Sequence, residues 1–316
     1  MRQAFVFPGQ GAQTVGMGHE IAQHFPAARA IYDLADHALG WPVSELCFAG
    51  PEATLTATEN TQPALVATSL AVLAALAGDI AQIVPYTRQY AVAVAGHSLG
   101  EYSALVAAGS LSPTAAIQLV RQRGLLMAAA TTGGMAAVIG LDDDSIDQIC
   151  QRVSTPEAAV VVANYNSPGQ TVISGAVSAL EAAGEALKAA GAKRVIPLKV
   201  SAAFHSPLMH DAAQALAAQV ANTPIIAPAL PVISNITAQP LRTPADIANE
   251  LPAQVESAVR WVSTIQYLVA DGVTHFVEIG AGNVLSGLIK RIAPDAVTTT
   301  IVDVTSLNAY RAQFTN

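Results

Sequence analysis

Residues 91–109 read AVAVAGHSLGEYSALVAAG. Residues 91–95 form a short apolar run, typical of a buried strand of a parallel sheet, and apolar residues at helical spacing follow Ser98 as far as Gly109. Between them lies G-x-S-x-G, whose glycines allow a sharp turn of the backbone. A serine on a turn between a strand and a helix is the arrangement of a nucleophile elbow. The stretch therefore predicts an α/β fold with Ser98 as a nucleophile. The alternative is a small-residue turn that only packs strand against helix.

The same strand-and-helix alternation continues on both sides of this stretch. Short apolar runs predict further buried strands at residues 4–7, 232–234 and 274–279, and helical periodicity predicts helices at residues 63–77 and 212–221. Such alternation is typical of α/β proteins. The apolar segment 63–77 is shorter than the roughly 20 residues that a membrane-spanning helix needs, so we expect a buried helix.

Residues 131–200 show a different pattern, with strands and helices in the order β-α-β-β-α-β. This order is that of a ferredoxin-like unit. We therefore expect an α/β-hydrolase-like catalytic domain with a parallel sheet, built from residues 1–130 plus 201–316, and an inserted ferredoxin-like subdomain at 131–200. The two crossings between these parts would bound a cleft, which is a common place for an active site.

The composition excludes several classes of protein. A formal net charge of −8 argues against a nucleic-acid-binding protein, which needs a basic face. Cys47 and Cys150 are too far apart for a CxxC motif and are interpreted as reduced thiols of a cytoplasmic protein. The N-terminus has no long apolar segment typical of a signal peptide.

A nucleophilic serine needs a general base, and the chain has seven histidines. The favoured candidate is His205, which lies where the inserted unit returns to the main domain, and His210 is the alternative. The other five lie beside the serine, in polar helical stretches or within a predicted strand: His97, His19, His24, His37 and His275. The sequence shows no acidic partner in the usual Ser…Asp…His order, so a backbone carbonyl is the expected third member.

A further candidate is Arg123, on a helix that Ser112 is expected to cap. At 100° per residue, Arg123 lies in the middle of the apolar stripe of this helix. A buried guanidinium without an anion costs several kcal/mol. It either pairs with a core carboxylate or binds a substrate that carries a carboxylate, and we favour the second interpretation.

Residues 7–18, FPGQGAQTVGMG, follow the first predicted strand. They lack the Gly-Lys-Ser/Thr of a phosphate-binding loop and the third glycine of a dinucleotide fingerprint. The segment is therefore interpreted as a glycine-rich turn that can offer backbone N–H groups to an oxyanion.

Seven motifs occur in order along nearly the whole chain: FPGQGAQ (7–13), TQPAL (61–65), GHSLGEYSALVAAG (96–109), RQRGLLM (121–127), NYNSPGQ (164–170), AFHSPLM (203–209) and EIGAGNVL (278–285). Together they resemble the malonyl-CoA:acyl carrier protein transacylase family, which includes the acyltransferase domains of fatty acid and polyketide synthases. The resemblance implies that Ser98 is the nucleophile, His205 the general base and Arg123 the group that holds the malonyl carboxylate.

The resemblance also implies a set of supporting groups. The backbone N–H groups of Gln10 and Leu99 would form the oxyanion hole, and the main-chain carbonyl of Gln254 would orient the histidine. Further polar side chains would line the cleft: Gln62, Asn164 and Asn166.

The expected activity is transfer of a malonyl group from malonyl-CoA to the phosphopantetheine thiol of an acyl carrier protein, through a malonyl-serine. No metal or redox cofactor is expected, and neither is nucleic acid or membrane as a partner; the expected state is a monomer. Two alternatives stay open. A serine hydrolase would use water as the acceptor, and a non-catalytic carrier-binding protein would not need the serine, histidine and arginine.

Overall fold

The computed structural model describes residues 2–200 and 202–314. In this part of the chain ten strands form one six-stranded and one four-stranded sheet. The strands are β1 (Gln3–Phe7), β2 (Ala93–Gly96), β3 (Gly134–Ile139), β4 (Val160–Ser167), β5 (Gln170–Gly175), β6 (Arg194–Pro197), β7 (Val232–Ile233), β8 (Pro240–Leu241), β9 (His275–Ile279) and β10 (Val297–Ile301).

Fifteen α-helices surround these sheets in the described residues. They are α1 (His19–His24), α2 (Pro26–Leu39), α3 (Val43–Ala49), α4 (Glu52–Thr56), α5 (Thr58–Ala77), α6 (Ile83–Tyr90), α7 (Gly100–Ala107), α8 (Pro113–Ala129), α9 (Asp143–Val153), α10 (Val177–Ala189), α11 (His210–Ala221), α12 (Pro244–Glu256), α13 (Trp261–Ala270), α14 (Val284–Ile292) and α15 (Val304–Ala312).

The six-stranded sheet has the order β10-β9-β1-β2-β7-β8. All of its neighbours are parallel except β7 and β8, which pair antiparallel. Successive residues of a strand point to opposite faces, so Phe5 and Phe7 enter one hydrophobic core while Ala4 and Val6 enter another on the other face. Both faces of β1 are thus covered, as in parallel sheets generally. The prediction of an α/β fold with a parallel sheet is confirmed.

Helix α5 is the central helix of the larger core. Of the described helices it alone is long and apolar enough to cross a membrane by length and composition, yet 89% of that apolar window is buried inside the protein. It ends where Gly78 takes a left-handed conformation and donates its N–H to the carbonyl of Ala74. The prediction of a buried helix at residues 63–77 is confirmed, and the helix begins five residues earlier, at Thr58.

The four-stranded sheet comes from the segment between α8 and α11. Its order is β4-β5-β3-β6, with every pair of neighbours antiparallel, and its element order is β3-α9-β4-β5-α10-β6. The sheet has its own hydrophobic core against α9 and α10. Strand β4 contacts the larger part of the protein: Tyr165 donates its backbone N–H to the carbonyl of Val259 at 2.9 Å.

Candidate active site

The turn between β2 and α7 carries Ser98, in a left-handed conformation with φ of 51°. The flanking glycines are required by packing. A Cβ at Gly96 would lie 1.9 Å from the carbonyl carbon of Gly100, and a Cβ at Gly100 would lie 2.2 Å from the oxygen of Phe7. The backbone can therefore turn sharply against β1 and leave the serine side chain partly exposed at the carboxyl end of the sheet.

His205 lies next to this serine. The Ser98 hydroxyl donates to His205 Nε2 across 2.8 Å, and Nδ1 faces the backbone oxygens of Gln254 at 2.8 Å and Ser257 at 3.1 Å. Because carbonyls only accept hydrogen bonds, Nδ1 carries the proton and Nε2 is the acceptor. The imidazole is thus oriented by two main-chain carbonyls from the end of α12.

The His205 ring is buried, with 4% of the residue exposed. Burial lowers the pKa of His205 to about 3, with the positive charge of Arg123 and the nearby His97 acting in the same direction. Hydrogen bonds from Nδ1 to the carbonyls act the other way. The imidazole is therefore neutral at physiological pH and can accept a proton.

Arg123 projects from α8 to the same point and is 1% exposed. Its Nη1 donates to Gln62 Oε1 at 2.8 Å, and its Nη2 donates at 3.0 Å to both Ser98 Oγ and Gln254 Oε1. All these partners are neutral, and Nε has no hydrogen-bond partner among the described residues. Burial lowers the pKa of Arg123, but an arginine stays charged. The site thus holds a buried cation whose hydrogen bonds do not involve a carboxylate.

The loop after β1 packs against this turn. The N–H of His97 donates to the oxygen of Phe7 at 3.0 Å, and a Cβ at Gly9 would lie 2.5 Å from the carbonyl oxygen of His97. Gln10 donates from its side chain to Thr58 Oγ1 at 3.2 Å. An open cavity of about 800 Å³ begins at Gln10 and extends over the start of α5 toward Lys199. The cavity therefore adjoins the loop that packs against the serine turn.

Two predicted cleft residues belong to β4. Asn166 accepts a hydrogen bond from His97 Nε2 at 2.8 Å, and Asn164 forms a bridge with Val259. The His97 ring also packs edge-on against Trp261, with 5.5 Å between ring centroids. Burial lowers the pKa of His97. Because its Nε2 is directed to Asn166, His97 ties the four-stranded sheet to the serine turn rather than serving the serine itself.

Of the two candidate bases, His205 lies beside Ser98 and His210 does not. His210 is exposed on α11 and bonds to Glu256 at 2.9 Å, away from Ser98. His275 is buried in β9 and bonds to Thr299, and the helical histidines are exposed, as expected: His19, His24 and His37. The structure thus brings His205, Arg123, Gln62 and Gln254 together at Ser98.

The sequence analysis missed one group that contacts the serine. Asn235 Oδ1 accepts the Ser98 backbone N–H at 2.8 Å, and its Nδ2 donates to the carbonyl of Gly96 at 2.8 Å. Asn235 follows β7, the strand beside β2, and parallel neighbours end at the same edge of a sheet. A polar residue just after the predicted strand 232–234 was the signal available in the sequence.

The fold and this geometry define an α/β protein with a serine–histidine pair at a strand–helix turn and a buried arginine beside it. The family model described as "Acyl transferase domain" matches residues 4–304. The chain therefore belongs to the acyl transferase domain family, and the similarity to malonyl-CoA:acyl carrier protein transacylases is confirmed.

Individual relatives agree. The malonyl CoA-acyl carrier protein transacylase of Bacillus subtilis (strain 168) is 46% identical over 92% of this chain and 90% of its own length. That of Escherichia coli (strain K12) is 43% identical over 92% of both chains. The acyl-carrier-protein-S-malonyltransferase structure from Bartonella henselae superposes with a TM-score of 0.94 at 42% identity, covering 99% of both chains.

One solved structure contains a partner. It is described as PlMCAT:AntF, a type II PKS acyl-carrier protein in complex with its malonyl-transacylase, and matches with a TM-score of 0.91 at 39% identity. The match covers 99% of this chain and 100% of that chain. These relatives show that the chain is an enzyme of the acyltransferase class.

Proposed function

We propose that this protein transfers a malonyl group from malonyl-CoA to the phosphopantetheine thiol of an acyl carrier protein, through an ester on Ser98. The observation that carries the proposal is that the Ser98 oxygen lies 2.8 Å from His205 Nε2 and 3.0 Å from Arg123 Nη2. A nucleophile, a neutral base and a buried cation thus meet at one atom.

In the first half-reaction the Ser98 oxygen attacks the thioester carbonyl carbon while its proton passes to His205 Nε2. The backbone N–H groups of Gln10 and Leu99 stabilise the oxyanion, and such a donor is worth about 10²–10³ in rate. The carbon–sulfur bond then breaks, and the departing sulfur takes the proton from the imidazolium. The products are free CoA and a malonyl-serine ester.

The second half-reaction reverses these steps with a different thiol. The pantetheine thiol gives its proton to His205 and attacks the ester carbonyl carbon. The carbon–oxygen bond breaks, and the Ser98 oxygen recovers the proton. The imidazole is neutral before each half-reaction. The carbonyls of Gln254 and Ser257 hold the proton on Nδ1 and so keep Nε2 directed at the serine.

Arg123 supplies selectivity for an acyl group with a carboxylate. Arriving malonyl would replace neutral partners of the guanidinium by a charge-assisted pair, whereas a neutral acyl group would leave the cation buried without an anion. The remaining predicted cleft residues would border the acyl group and its thioester arm: Gln62, Asn164 and Asn166.

The domain description is part of the proposal. The larger unit is α/β-hydrolase-like, formed by residues 1–130 plus 201–316, and residues 131–200 are an inserted ferredoxin-like subdomain. The antiparallel order β4-β5-β3-β6 with α9 and α10 on one face supports the second assignment. Residue 201, at the boundary, lies outside the described residues.

The named relatives support a place in fatty acid or polyketide biosynthesis. We place the reaction in the cytoplasm, because Cys47 and Cys150 are buried free thiols. We assign the monomer as the working form.

The test is intact-protein mass spectrometry after brief incubation with malonyl-CoA. Wild type should gain one malonyl unit, and Ser98→Ala should gain none. The matched control is Ser103→Ala on α7, the helix after the serine turn, because the Ser103 hydroxyl is buried and has no hydrogen-bond partner among the described residues. This variant should gain the adduct. Absence of an adduct, or an adduct on Ser98→Ala, would overturn the mechanism. Steady hydrolysis of malonyl-CoA without a carrier protein would favour a serine hydrolase.

A further inference from the structure

A buried carboxyl group lies directly behind the serine turn. Glu101 is in the first turn of α7 and is 0% exposed. Its Oε2 accepts hydrogen bonds from two side-chain amides, Asn235 Nδ2 and Gln254 Nε2. Neither the fold nor the proposed reaction steps explain why a carboxyl group should be buried there.

Both amides also bind the backbone of Ser98. Asn235 Oδ1 accepts the Ser98 N–H at 2.8 Å, and Gln254 Nε2 donates to the Ser98 carbonyl at 3.1 Å. A non-glycine residue held at positive φ is strained and persists only where its surroundings fix it. The two amides fix the serine from both of its peptide groups.

Glu101 favours one orientation of each amide, together with the carbonyls of Gly96 and Ser98 that accept from the same NH₂ groups. An amide has a donor end and an acceptor end, and Oε2 attracts both donor ends. The acceptor end of Asn235 is thereby left for the Ser98 N–H, and the acceptor end of Gln254 for Arg123 Nη2 at 3.0 Å. If Gln254 were turned round, its NH₂ group would face the guanidinium, and two donors would oppose each other.

Gln254 also contacts the proposed general base, through its main chain. The backbone carbonyl of Gln254 accepts the proton of His205 Nδ1 at 2.8 Å. A displaced Gln254 would therefore change the position of both Arg123 and the imidazole. One carboxyl oxygen is connected in this way to the nucleophile, the base and the cation.

Burial and a second carboxyl group both affect the pKa of Glu101. Burial and the neighbouring Glu250 raise the pKa of Glu101 well above its usual range. A negative charge is better stabilised on Glu250 than on Glu101, because Glu250 Oε1 accepts hydrogen bonds from the hydroxyl of Ser234 at 2.8 Å and the N–H of Ile236 at 3.1 Å. Glu101 Oε1 has no hydrogen-bond partner in the described part of the chain, whereas Oε2 accepts from both amides.

We propose that Glu101 is a positioning residue, whose Oε2 orients the amides of Asn235 and Gln254 and, through them, Ser98, Arg123 and His205. The hydrogen bonds of Arg123 go to Gln62, Ser98 and Gln254, so its guanidinium does not bond directly to Glu101 and is left for a substrate anion. The positioning of Ser98 and His205 stands apart from the proposed malonyl transfer, and only the effect on acyl selectivity rests on that function.

The first experiment compares Glu101→Gln with Glu101→Leu. Glutamine is neutral, keeps an oxygen for the two amides and can donate from the Oε1 position to Glu250, whereas leucine removes the acceptor. The readout is the rate at which a fluorophosphonate labels Ser98, which does not depend on malonyl-CoA. We expect Glu101→Gln to label near the wild-type rate and Glu101→Leu to be slower by about 10²-fold, the effect of a misplaced reacting group.

The second readout is the ratio of malonyl to acetyl adduct formed on Ser98. Loss of the Gln254–Arg123 contact should lower this ratio in Glu101→Leu, while a fraction of unfolded protein would lower both adducts equally. If Glu101→Leu does not fold, Asn235→Asp replaces it, since a carboxylate at 235 cannot donate to Glu101; we expect it to label slowly. Slow labelling of Glu101→Gln, or wild-type labelling of Glu101→Leu or Asn235→Asp, would overturn the proposal. Normal labelling without malonyl adduct would count against the proposed function alone.

Discussion

Replacing Arg123 by methionine removes the charge from the centre of the site and keeps an apolar chain of similar length. The guanidinium makes three hydrogen bonds to neutral acceptors, at 2.8, 3.0 and 3.0 Å, and it is 1% exposed. A malonyl carboxylate bound here would be buried with it. In Arg123→Met that carboxylate would have to enter the same site without a counter-charge.

The size of the effect follows from this burial. Removing one partner of a buried ion pair costs about 3–5 kcal/mol, and each 1.36 kcal/mol changes a rate tenfold, so acylation by malonyl-CoA should fall by roughly two to four orders of magnitude. Acetyl-CoA has no carboxylate to lose. The positive charge of Arg123 also lowers the pKa of His205, so its removal makes the imidazole a stronger base. Acylation by acetyl-CoA should therefore stay constant or increase.

The assay is rapid quenching followed by intact-protein mass, with malonyl-CoA and acetyl-CoA measured separately. Arg121→Met is the matched control, because Arg121 lies on the same helix but bonds to the carbonyl of Glu59 at 2.6 Å and to Asn60 at 2.8 Å. The control should keep the wild-type ratio of the two rates. An equal loss of both rates in Arg123→Met, with the thermal unfolding temperature unchanged, would refute the assignment of this side chain to the carboxylate.

Three further outcomes are expected. Since burial lowers the pKa of His205 to about 3, fluorophosphonate labelling of Ser98 should be constant from about pH 8 to about pH 5; half-loss near the usual histidine value of about 6.5 would contradict this. Gly100→Ala should lower the free energy of unfolding by about 3 kcal/mol, because its Cβ would meet the Phe7 oxygen. Gly287→Ala has open space around its Cβ and should raise the free energy of unfolding by about 0.5–1 kcal/mol. Denaturant titration measures both changes. Asp303→Ala should lower the free energy of unfolding by about 1 kcal/mol at pH 7, because it removes the capping box of α15. Hydrogen bonds to Ser306 lower the pKa of Asp303 below its usual value. The difference between the variant and wild type should therefore shrink as the pH falls through that pKa.

Within the six-stranded sheet, the strands that the sequence predicts are the ones buried on both faces. β1, β2, β7 and β9 have apolar runs because helices cover both sides of the sheet. β10 was missed, since its sequence VTTTI has no apolar run; it lies at the sheet edge, and Val297 is 56% exposed. Pairing with β9 makes it a strand, and this pairing cannot be read from local sequence.

The start of α5 was misplaced for a related reason. Residues 58–62, TENTQ, are polar and were not included in the predicted helix. In the structure Gln62 is buried because it accepts from Arg123, and Thr61 is buried because its hydroxyl donates to the carbonyl of Leu55. Hydrogen bonds to distant residues replace the apolar contacts that a helical pattern would show.

The candidate site was predictable where its signal was local. Ser98 follows from a strand–glycine–helix pattern, and the burial of Arg123 follows from helical periodicity. His205 and His210 could not be separated with certainty, because the groups that orient His205 come from the end of α12, about 50 residues further along the chain. The burial of Glu101 could not be predicted, since its partners Asn235 and Gln254 are more than 130 residues away.

The backbone conformation of Ser98 and His205, the proposed reacting pair, costs stability. Of the three non-glycine residues with positive φ in residues 2–200 and 202–314, two are Ser98 and His205, with φ of 51° and 56°. Glycine adopts this conformation without the steric cost that a side chain brings. Selection for heat resistance alone would therefore favour glycine at both positions and would remove the proposed nucleophile and the proposed general base. Thermostabilised libraries need a simultaneous selection for turnover to retain the serine and the histidine.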